Sequence, residues 1–122
     1  MENKIYKSYL IINSDLNLSI GKTLAQVAHG GIYLERFLSK SFGKYYSLRD
    51  NWIASNEIII TLKAKTNVIN KLKSEYTDYL SIVDIGLNEV SINTETGIVL
   101  MPLLEENKTK TLQRCQTFKL DI

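Results

Sequence analysis

A helical repeat of apolar residues begins near Ser19 and lies between two strand-like segments, and this alternation limits the chain to a few folds. Residues 5–12 (IYKSYLII) and 57–62 (EIIITL) are rich in the β-branched and aromatic side chains that favour strands. From Ser19 onward, apolar residues recur instead at the spacing of an amphipathic helix. A strand, a helix and a second strand predict a sheet with helices packed on its faces.

The predicted first helix has two sides when its residues are placed at 100° intervals. The apolar side is expected to face the core, and it consists of Leu24, Val27, Ala28, Gly31, Leu34 and Leu38. The opposite side is expected to face solvent, and it carries Lys22, Gln26, His29, Tyr33 and Lys40.

The remaining segments continue the alternation to the end of the chain. They predict a loop with a short helix carrying Trp52 at 44–55, a second helix capped by Thr66 or Asn67, strands at 80–85 and 97–104, a short polar helix near 107–115 and an edge strand at 118–120. The last strands are joined too briefly for another helix, which predicts a mixed sheet. The predicted fold class is therefore α/β, a three-layer α/β/α sandwich with a mixed, mostly parallel sheet of four or five strands, formed as one domain by residues 1–122.

Composition excludes several classes of protein and site. With 122 residues, 44% hydrophobic and 23% charged, the chain has the composition of a globular domain. Cys115 is the only cysteine and His29 the only histidine, which excludes an internal disulfide and a His/Cys metal cage. Magnesium held by carboxylates stays open, although no motif supports it, and no cofactor is expected. No apolar run approaches the ~20 residues that span a bilayer, so no membrane association and a cytoplasmic location are expected.

Three polar residues of the first helix form the candidate functional group. Lys22, Gln26 and His29 are spaced i, i+4, i+7 and project within about 60° of one another, so one ligand could contact all three. The ordinary alternative is a solvated face, because polar residues are expected opposite an apolar stripe. Lys22 lies in the first turn, where the helix dipole disfavours a cation by roughly 0.3–1 kcal/mol, and this position favours a functional reason for the lysine.

Asp84 is the second candidate because it ends an apolar strand just before Gly86. If the first and third strands are parallel, Asp84 and Lys22 emerge at the same end of the sheet, where α/β folds bind their ligands. Alternatively, Asp84 caps the turn that follows the strand.

At these residues the chain resembles the type II (archaeal and eukaryotic class) peptidyl-tRNA hydrolases. Residues 21–29 (GKTLAQVAH) resemble the family's G-K-x-x-A-Q-x-A-H helix, and residues 84–90 (DIGLNEV) are similar to its D-x-G-x-T-x-[IV] segment. Trp52, Thr94, Thr96 and Pro102 follow at family spacing, and residues 118–120 (FKL) resemble the closing L-K-L. The resemblance extends over nearly the whole chain.

This resemblance implies hydrolysis of the ester between a peptide and the 3′ end of tRNA, by water and without a covalent intermediate. It implies tRNA as the partner and a possible homodimer. Lys22 would stabilise negative charge, Asp84 would orient Lys22 or the water, and Gln26 and His29 would position the substrate. Asn88 stands where the family usually has threonine, so it could orient water only through its amide. The alternative function is that of a diverged, non-catalytic relative that binds RNA or protein through the same face.

A second stretch predicts contact with RNA because basic residues alternate there with aromatic ones that could stack on unpaired bases. An ordinary solvated surface with partly buried tyrosines explains the same pattern. The residues concerned are Arg36, Lys40, Lys44, Tyr45, Tyr46 and Arg49.

Overall fold

A six-stranded sheet forms the centre of the protein in the computed structural model, which describes residues 4–84, 90 and 93–119. Its strand order is β3-β4-β1-β2-β6, and β5 pairs with one end of β1. The strands are β1 (Tyr6–Asn13), β2 (Ile58–Ala64), β3 (Tyr79–Asp84), β4 (Thr94–Leu100), β5 (Leu103–Leu104) and β6 (Gln116–Thr117).

Helices cover both faces of this sheet, as the alternating sides of β1 show. Leu10 and Ile12 point into the hydrophobic cluster formed with α1 and α2, whereas Tyr9 and Ile11 point into the cluster formed with α3 and α4. The predicted α/β class and three-layer arrangement are therefore confirmed. The helices are α1 (Ile20–Lys40), α2 (Lys44–Ala54), α3 (Thr66–Glu75) and α4 (Lys110–Arg114).

The prediction of a mostly parallel sheet is wrong. Among the strand pairs of the described residues, only β1–β2 is parallel, because β4 runs antiparallel to both of its neighbours, β1 and β3. Residues 85–93 are too few for the helical crossover that a parallel β3–β4 connection needs. As a result β1, β2 and β3 run in the same direction and end together at Asn13, Ala64 and Asp84, which we call the carboxyl end of the sheet.

The sheet has six strands instead of the four or five predicted, because one predicted strand divides in two. The predicted edge strand is also displaced along the sequence. The segment expected as one strand at 97–104 divides into β4 and β5 around Pro102, which has no N–H to donate to a strand partner. The edge strand falls at Gln116–Thr117 instead of 118–120, although the N–H of Phe118 still donates to the Thr61 carbonyl at 2.9 Å. Position 120 lies outside the described residues, as does Ile85 at the predicted end of the third strand.

Helix α1 presents a different side to the sheet from the one its apolar residues predict. Its buried residues are Thr23, Gln26, Gly30, Leu34 and Leu38. Leu24, which was expected in the core, is 54% exposed, and Ala28 is also exposed. The helix is therefore rotated so that part of its polar side faces β3 and β4.

The helix ends show which caps the sequence could predict. Ser19 caps α1, since its Oγ accepts a hydrogen bond from the N–H of Lys22 at 3.2 Å. The predicted cap of α3 is wrong: Lys65 is the residue at that position, and the N–H of Thr66 donates to Oδ2 of Asp15 at 2.8 Å. This hydrogen bond lowers the pKa of the Asp15 carboxyl group. It also joins the segment after β1 to the start of α3.

The connection between α1 and α2 is shorter than predicted, because residues 44–54 are helical throughout. Gly43 makes the reversal possible with φ +69°, a conformation that side chains other than glycine rarely adopt. Helix α2 buries Trp52, as expected, and the indole N–H donates to the Ile58 carbonyl at 3.0 Å.

Gly97 provides a test of the close packing between β4 and β1. A Cβ at this position would overlap the carbonyl oxygen of Ile11, which belongs to the backbone and cannot move aside easily. We expect Gly97→Ala to lower the free energy of unfolding by roughly 1–3 kcal/mol, measured by urea denaturation. The control is Gly21→Ala, where no atom lies within 4 Å and alanine is the better helix former. Equal losses of stability in both variants would contradict this account of Gly97.

Candidate active site

Lys22 and Asp84 meet at the carboxyl end of the sheet. The Lys22 Nζ lies 2.6 Å from Oδ2 of Asp84. Asp84 is the last residue of β3, and Lys22 is in the first turn of α1, which begins shortly after β1 ends at that same end. The shared direction of β1 and β3 therefore joins two residues that are distant in sequence.

Gln26 and Thr96 extend this pair into a buried hydrogen-bonded chain. The amide nitrogen of Gln26 donates to Oδ2 of Asp84 at 3.0 Å, and the Thr96 hydroxyl donates to the amide oxygen of Gln26 at 2.8 Å. The same hydroxyl lies 3.2 Å from the carbonyl oxygen of Ile82. Lys22, Gln26, Asp84 and Thr96, which we call the Lys-Asp network, connect α1 to β3 and β4.

Burial differs sharply along the Lys-Asp network. The Asp84 side chain is 2% exposed, whereas that of Lys22 is 16% exposed. Gln26 and Thr96 are buried. The ammonium group is therefore the part of the network closest to solvent, and it has three N–H donors of which Asp84 accepts one. A buried ion pair adds little net stability compared with apolar packing, which favours a functional reason for this one.

The other candidates from the sequence do not all join this network. His29 is exposed and stacks on Tyr33 with ring centroids 5.8 Å apart. It lies about 10 Å further along the helix than Lys22, at 1.5 Å per residue. Asn88 falls outside the described residues, so its expected role stays a prediction.

The stretch predicted to contact RNA begins in the far half of α1, where Arg36 and Lys40 lie about 21 and 27 Å from Lys22 along the helix at 1.5 Å per residue. Two of its cations are paired, since Lys44 Nζ lies 3.1 Å from Asp78 Oδ2 and Arg49 donates to Glu35. Tyr45 is half-buried. The exposed members are Arg36, Lys40, Lys44 and Tyr46. RNA contact by this stretch stays a prediction.

Thr96 is the member of the Lys-Asp network that residue patterns did not single out. Its signal in the sequence is the family resemblance, in which Thr96 follows at family spacing, and its place directly before the apolar run of β4. Threonine is common in strands, so the residue type alone does not distinguish a hydrogen-bonding role from ordinary strand preference.

Over 4–84, 90 and 93–119, no group of three or more His, Cys, Asp and Glu side chains is arranged to hold a metal ion. Within the same ranges, no helix has the length and apolar character needed to span a membrane.

The fold and the Lys-Asp network define an α/β protein with a buried carboxylate and a lysine paired at the carboxyl end of its sheet. A family model described as "Peptidyl-tRNA hydrolase PTH2" matches residues 6–118, so the chain belongs to that family. A relative from Thermococcus sibiricus, named "Peptidyl-tRNA hydrolase", is 31% identical over 107 residues, which cover 83% of this chain and 87% of the relative. The family expected from the sequence is therefore confirmed.

The hydroxyl of Thr96 gives a stability test of the Lys-Asp network. Thr96→Val keeps the shape of the side chain but leaves the buried amide oxygen of Gln26 without this donor. We expect a loss of about 1–3 kcal/mol in the free energy of unfolding, the usual cost of an unsatisfied buried polar group. Thr96→Ser, which retains the hydroxyl, should lose less in the same urea titration. A valine variant as stable as the parent protein would contradict the hydrogen bond.

Proposed function

We propose that this protein hydrolyses the ester that joins a peptide to the 3′ end of tRNA, and that it does so at Lys22. Membership of the peptidyl-tRNA hydrolase family supports the reaction. The observation that carries the site is the 2.6 Å pair of Lys22 and Asp84, which uses residues in the two segments that resemble the family's motifs. The proposed setting is the cytoplasm, with tRNA as the partner.

The proposed chemistry is direct attack by water. The water oxygen bonds to the ester carbonyl carbon and gives a proton to the surrounding water, and the carbonyl oxygen becomes an oxyanion in the tetrahedral intermediate. The carbonyl then re-forms as the bond from that carbon to the ribose oxygen breaks, the leaving oxygen takes a proton from the surrounding water, and the new carboxylic acid releases one. The products are a peptide with a free carboxylate and a tRNA with a free 3′ hydroxyl, so no cofactor is needed.

Lys22 supplies the positive charge in this proposal. Its ammonium is held at the solvent side of the network, where its remaining N–H donors can face the oxyanion. Asp84 fixes the position of the ammonium, and Gln26 holds Asp84 through their shared hydrogen bond. These contacts are made before substrate arrives, so little reorganisation is required as charge develops on the ester oxygen.

His29 and Asn88 have secondary places in the proposal. His29 is exposed on the helix that carries Lys22, so it can donate to or accept from the part of the substrate that extends along α1. Asn88 would orient water through its amide.

Removal of the Lys22 ammonium tests the site directly. We expect Lys22→Met to lower kcat/KM on a model peptidyl-tRNA about 100-fold or more, the usual effect of losing one oxyanion donor. Asp84→Asn keeps the size of the side chain and removes the charge that orients Lys22, and a loss of similar size is expected. Activity is measured as peptide release from labelled peptidyl-tRNA.

The matched control is another lysine that pairs with a carboxylate. Lys73 Nζ lies 2.6 Å from Oε1 of Glu95, and we expect Lys73→Met to retain the parent's activity. Full activity in both Lys22→Met and Asp84→Asn would reject the proposed site. An inactive parent protein would reject the enzyme and favour the alternative, a diverged relative that binds RNA or protein.

A homodimer is the second part of the proposal. Helix α1 leaves Ile20, Leu24 and Ile32 exposed by 45%, 54% and 47%, and the exposed Ala28 lies between them. These residues recur every four positions and form an exposed apolar strip along α1. A second copy of the chain that packs on this strip would remove it from water.

A charge placed in the apolar strip tests the dimer. We expect Leu24→Asp to sediment as a monomer under conditions in which the parent protein sediments as a dimer. Phe42→Asp is the control, because Phe42 is 91% exposed and lies beyond the end of α1, away from the strip. A parent protein with the mass of a monomer at every concentration tested would contradict the proposal.

A further inference from the structure

A basic cavity of about 510 Å³ lies beside the end of β2, on the face covered by α3 and α4. Four cationic residues line it: Lys63 on β2, Lys65 directly after β2, Lys71 on α3 and Arg114 at the end of α4. The described residues that line it include no carboxylate.

Among the described residues, the four cations of the basic cavity have no carboxylate partner within 4 Å. Within the described part of the chain, ion pairs within 4 Å involve other cations, namely Lys22, Lys44, Arg49, Lys73 and Lys108. Four positive charges that line one concave surface produce a local potential that attracts anions. The chain therefore has a local concentration of positive charge that its net charge of +2 does not indicate.

Two carboxylates of the described residues interact with cations of the cavity, and both are already engaged by hydrogen bonds. Asp15 accepts from the backbone N–H of Thr66, and Glu75 accepts from the hydroxyl of Thr111 at 2.8 Å. Hydrogen bonds lower the pKa of both carboxyl groups, with smaller contributions from Lys65 at Asp15 and Lys71 at Glu75. Their negative charges offset part of the positive potential, but neither carboxylate lines the cavity.

The uncharged lining of the cavity also suits an anion. Ser14 contributes a hydroxyl, which can donate to an oxygen of a bound group. Burial, and secondarily the charge of Glu75, raises the pKa of the half-buried Cys115 thiol, so this group stays neutral near pH 7. The sulfur therefore adds no negative charge to the cavity.

The basic cavity and the Lys-Asp network lie at the same end of the sheet. Ser14, which lines the cavity, directly follows β1, and Ser19 five residues later caps the helix that carries Lys22. Between β3 and β2 there are three strand steps, so the strand ends at Asp84 and Ala64 are about 14 Å apart at ~4.8 Å per step. Because the cavity and α1 are on opposite faces of the sheet, the path between them is longer than this and spans at least about four nucleotide steps at the 3.4 Å rise of a stacked strand.

We propose that the basic cavity binds backbone phosphates of an RNA strand whose 3′ end is placed at Lys22. The inference rests on the proposed function for the identity of the RNA as the tRNA substrate. It deepens that function by assigning a phosphate site on the opposite face of the sheet from α1. Lysine and arginine bind phosphates without reading sequence, so the cavity sets the register of the strand and not its base preference.

The experiment measures the affinity of uncharged tRNA as a function of salt concentration. The variants are Lys65→Gln with Lys71→Gln, and Arg114→Gln alone. Each phosphate contact that is lost should make the slope of log affinity against log salt shallower by about one and should weaken binding at a fixed salt concentration. Lys110→Gln is the matched control, because Lys110 lies on α4 with Arg114 but does not line the cavity.

Several outcomes would overturn the phosphate site. They include a parent protein without affinity for tRNA, and cavity variants that bind tRNA with the parent's slope. If the slope of log affinity against log salt changes only in the double variant Arg36→Gln with Lys40→Gln, the RNA contact lies at the far end of α1 and not at the cavity. Titration with inorganic phosphate tests whether the cavity binds a free anion instead. If Arg114→Gln abolishes phosphate binding but leaves tRNA affinity unchanged, the assignment to RNA is also overturned.

A short substrate separates this proposal from the proposed function. The cavity variants should hydrolyse a peptidyl ester of adenosine at the parent's rate, because that ester does not reach the cavity, while KM for peptidyl-tRNA rises. A parent protein that binds tRNA through the cavity but cleaves neither ester would reject the enzyme and retain the phosphate site. Equal losses on both esters in the cavity variants would reject the phosphate site, since its effect would then not depend on RNA length.

Discussion

The buried carboxylate of Asp84 is the constraint on which the arrangement of α1 depends. A charge removed from water requires partners, and here α1 provides both the Lys22 ammonium and the Gln26 amide. Thr96 on β4 then fixes the amide of Gln26. Because these contacts come from one side of the helix, they determine its rotation on the sheet and bring a lysine to the carboxyl end of β3.

That requirement explains where hydrophobic periodicity failed. Motif resemblance identified the family's segments, and hydrophobic periodicity predicted the presence of α1, since both depend on local sequence. Periodicity placed Leu24 in the core and Gln26 in solvent, because it assigns every polar residue to the outside. The burial of Gln26 depends on Asp84, which is 58 residues away in sequence, so no local pattern contains it.

In the sheet, too, local sequence predicted the strands but not their order, which depends on contacts between distant residues. Strand segments were predictable from their β-branched and apolar residues, and the short connection between the strands predicted at 80–85 and 97–104 indicated a mixed sheet. Which strands lie side by side is decided by pairing across the whole chain, and β4 inserts between β1 and β3. The insertion makes most strand pairs antiparallel, yet it preserves the common direction of β1 and β3. The Lys22–Asp84 contact therefore depended on strand direction and not on the parallel pairing that the sequence had predicted.

At the carboxyl end of the sheet, different cations are suited to polarising a bound group and to attracting a polyanion from a distance. The positive charge of Lys22 is largely balanced at short range by Asp84, so this lysine can polarise a bound group but contributes little attraction at a distance. Long-range attraction of a polyanion must come from cations that are not balanced in this way. The basic cavity concentrates four cations that form no ion pair with a described carboxylate. A net charge of +2 is too small to predict nucleic-acid binding, because the total does not record this difference between cations. The positions of the charges carry the information, and they depend on the fold that brings the ends of β2, α3 and α4 together.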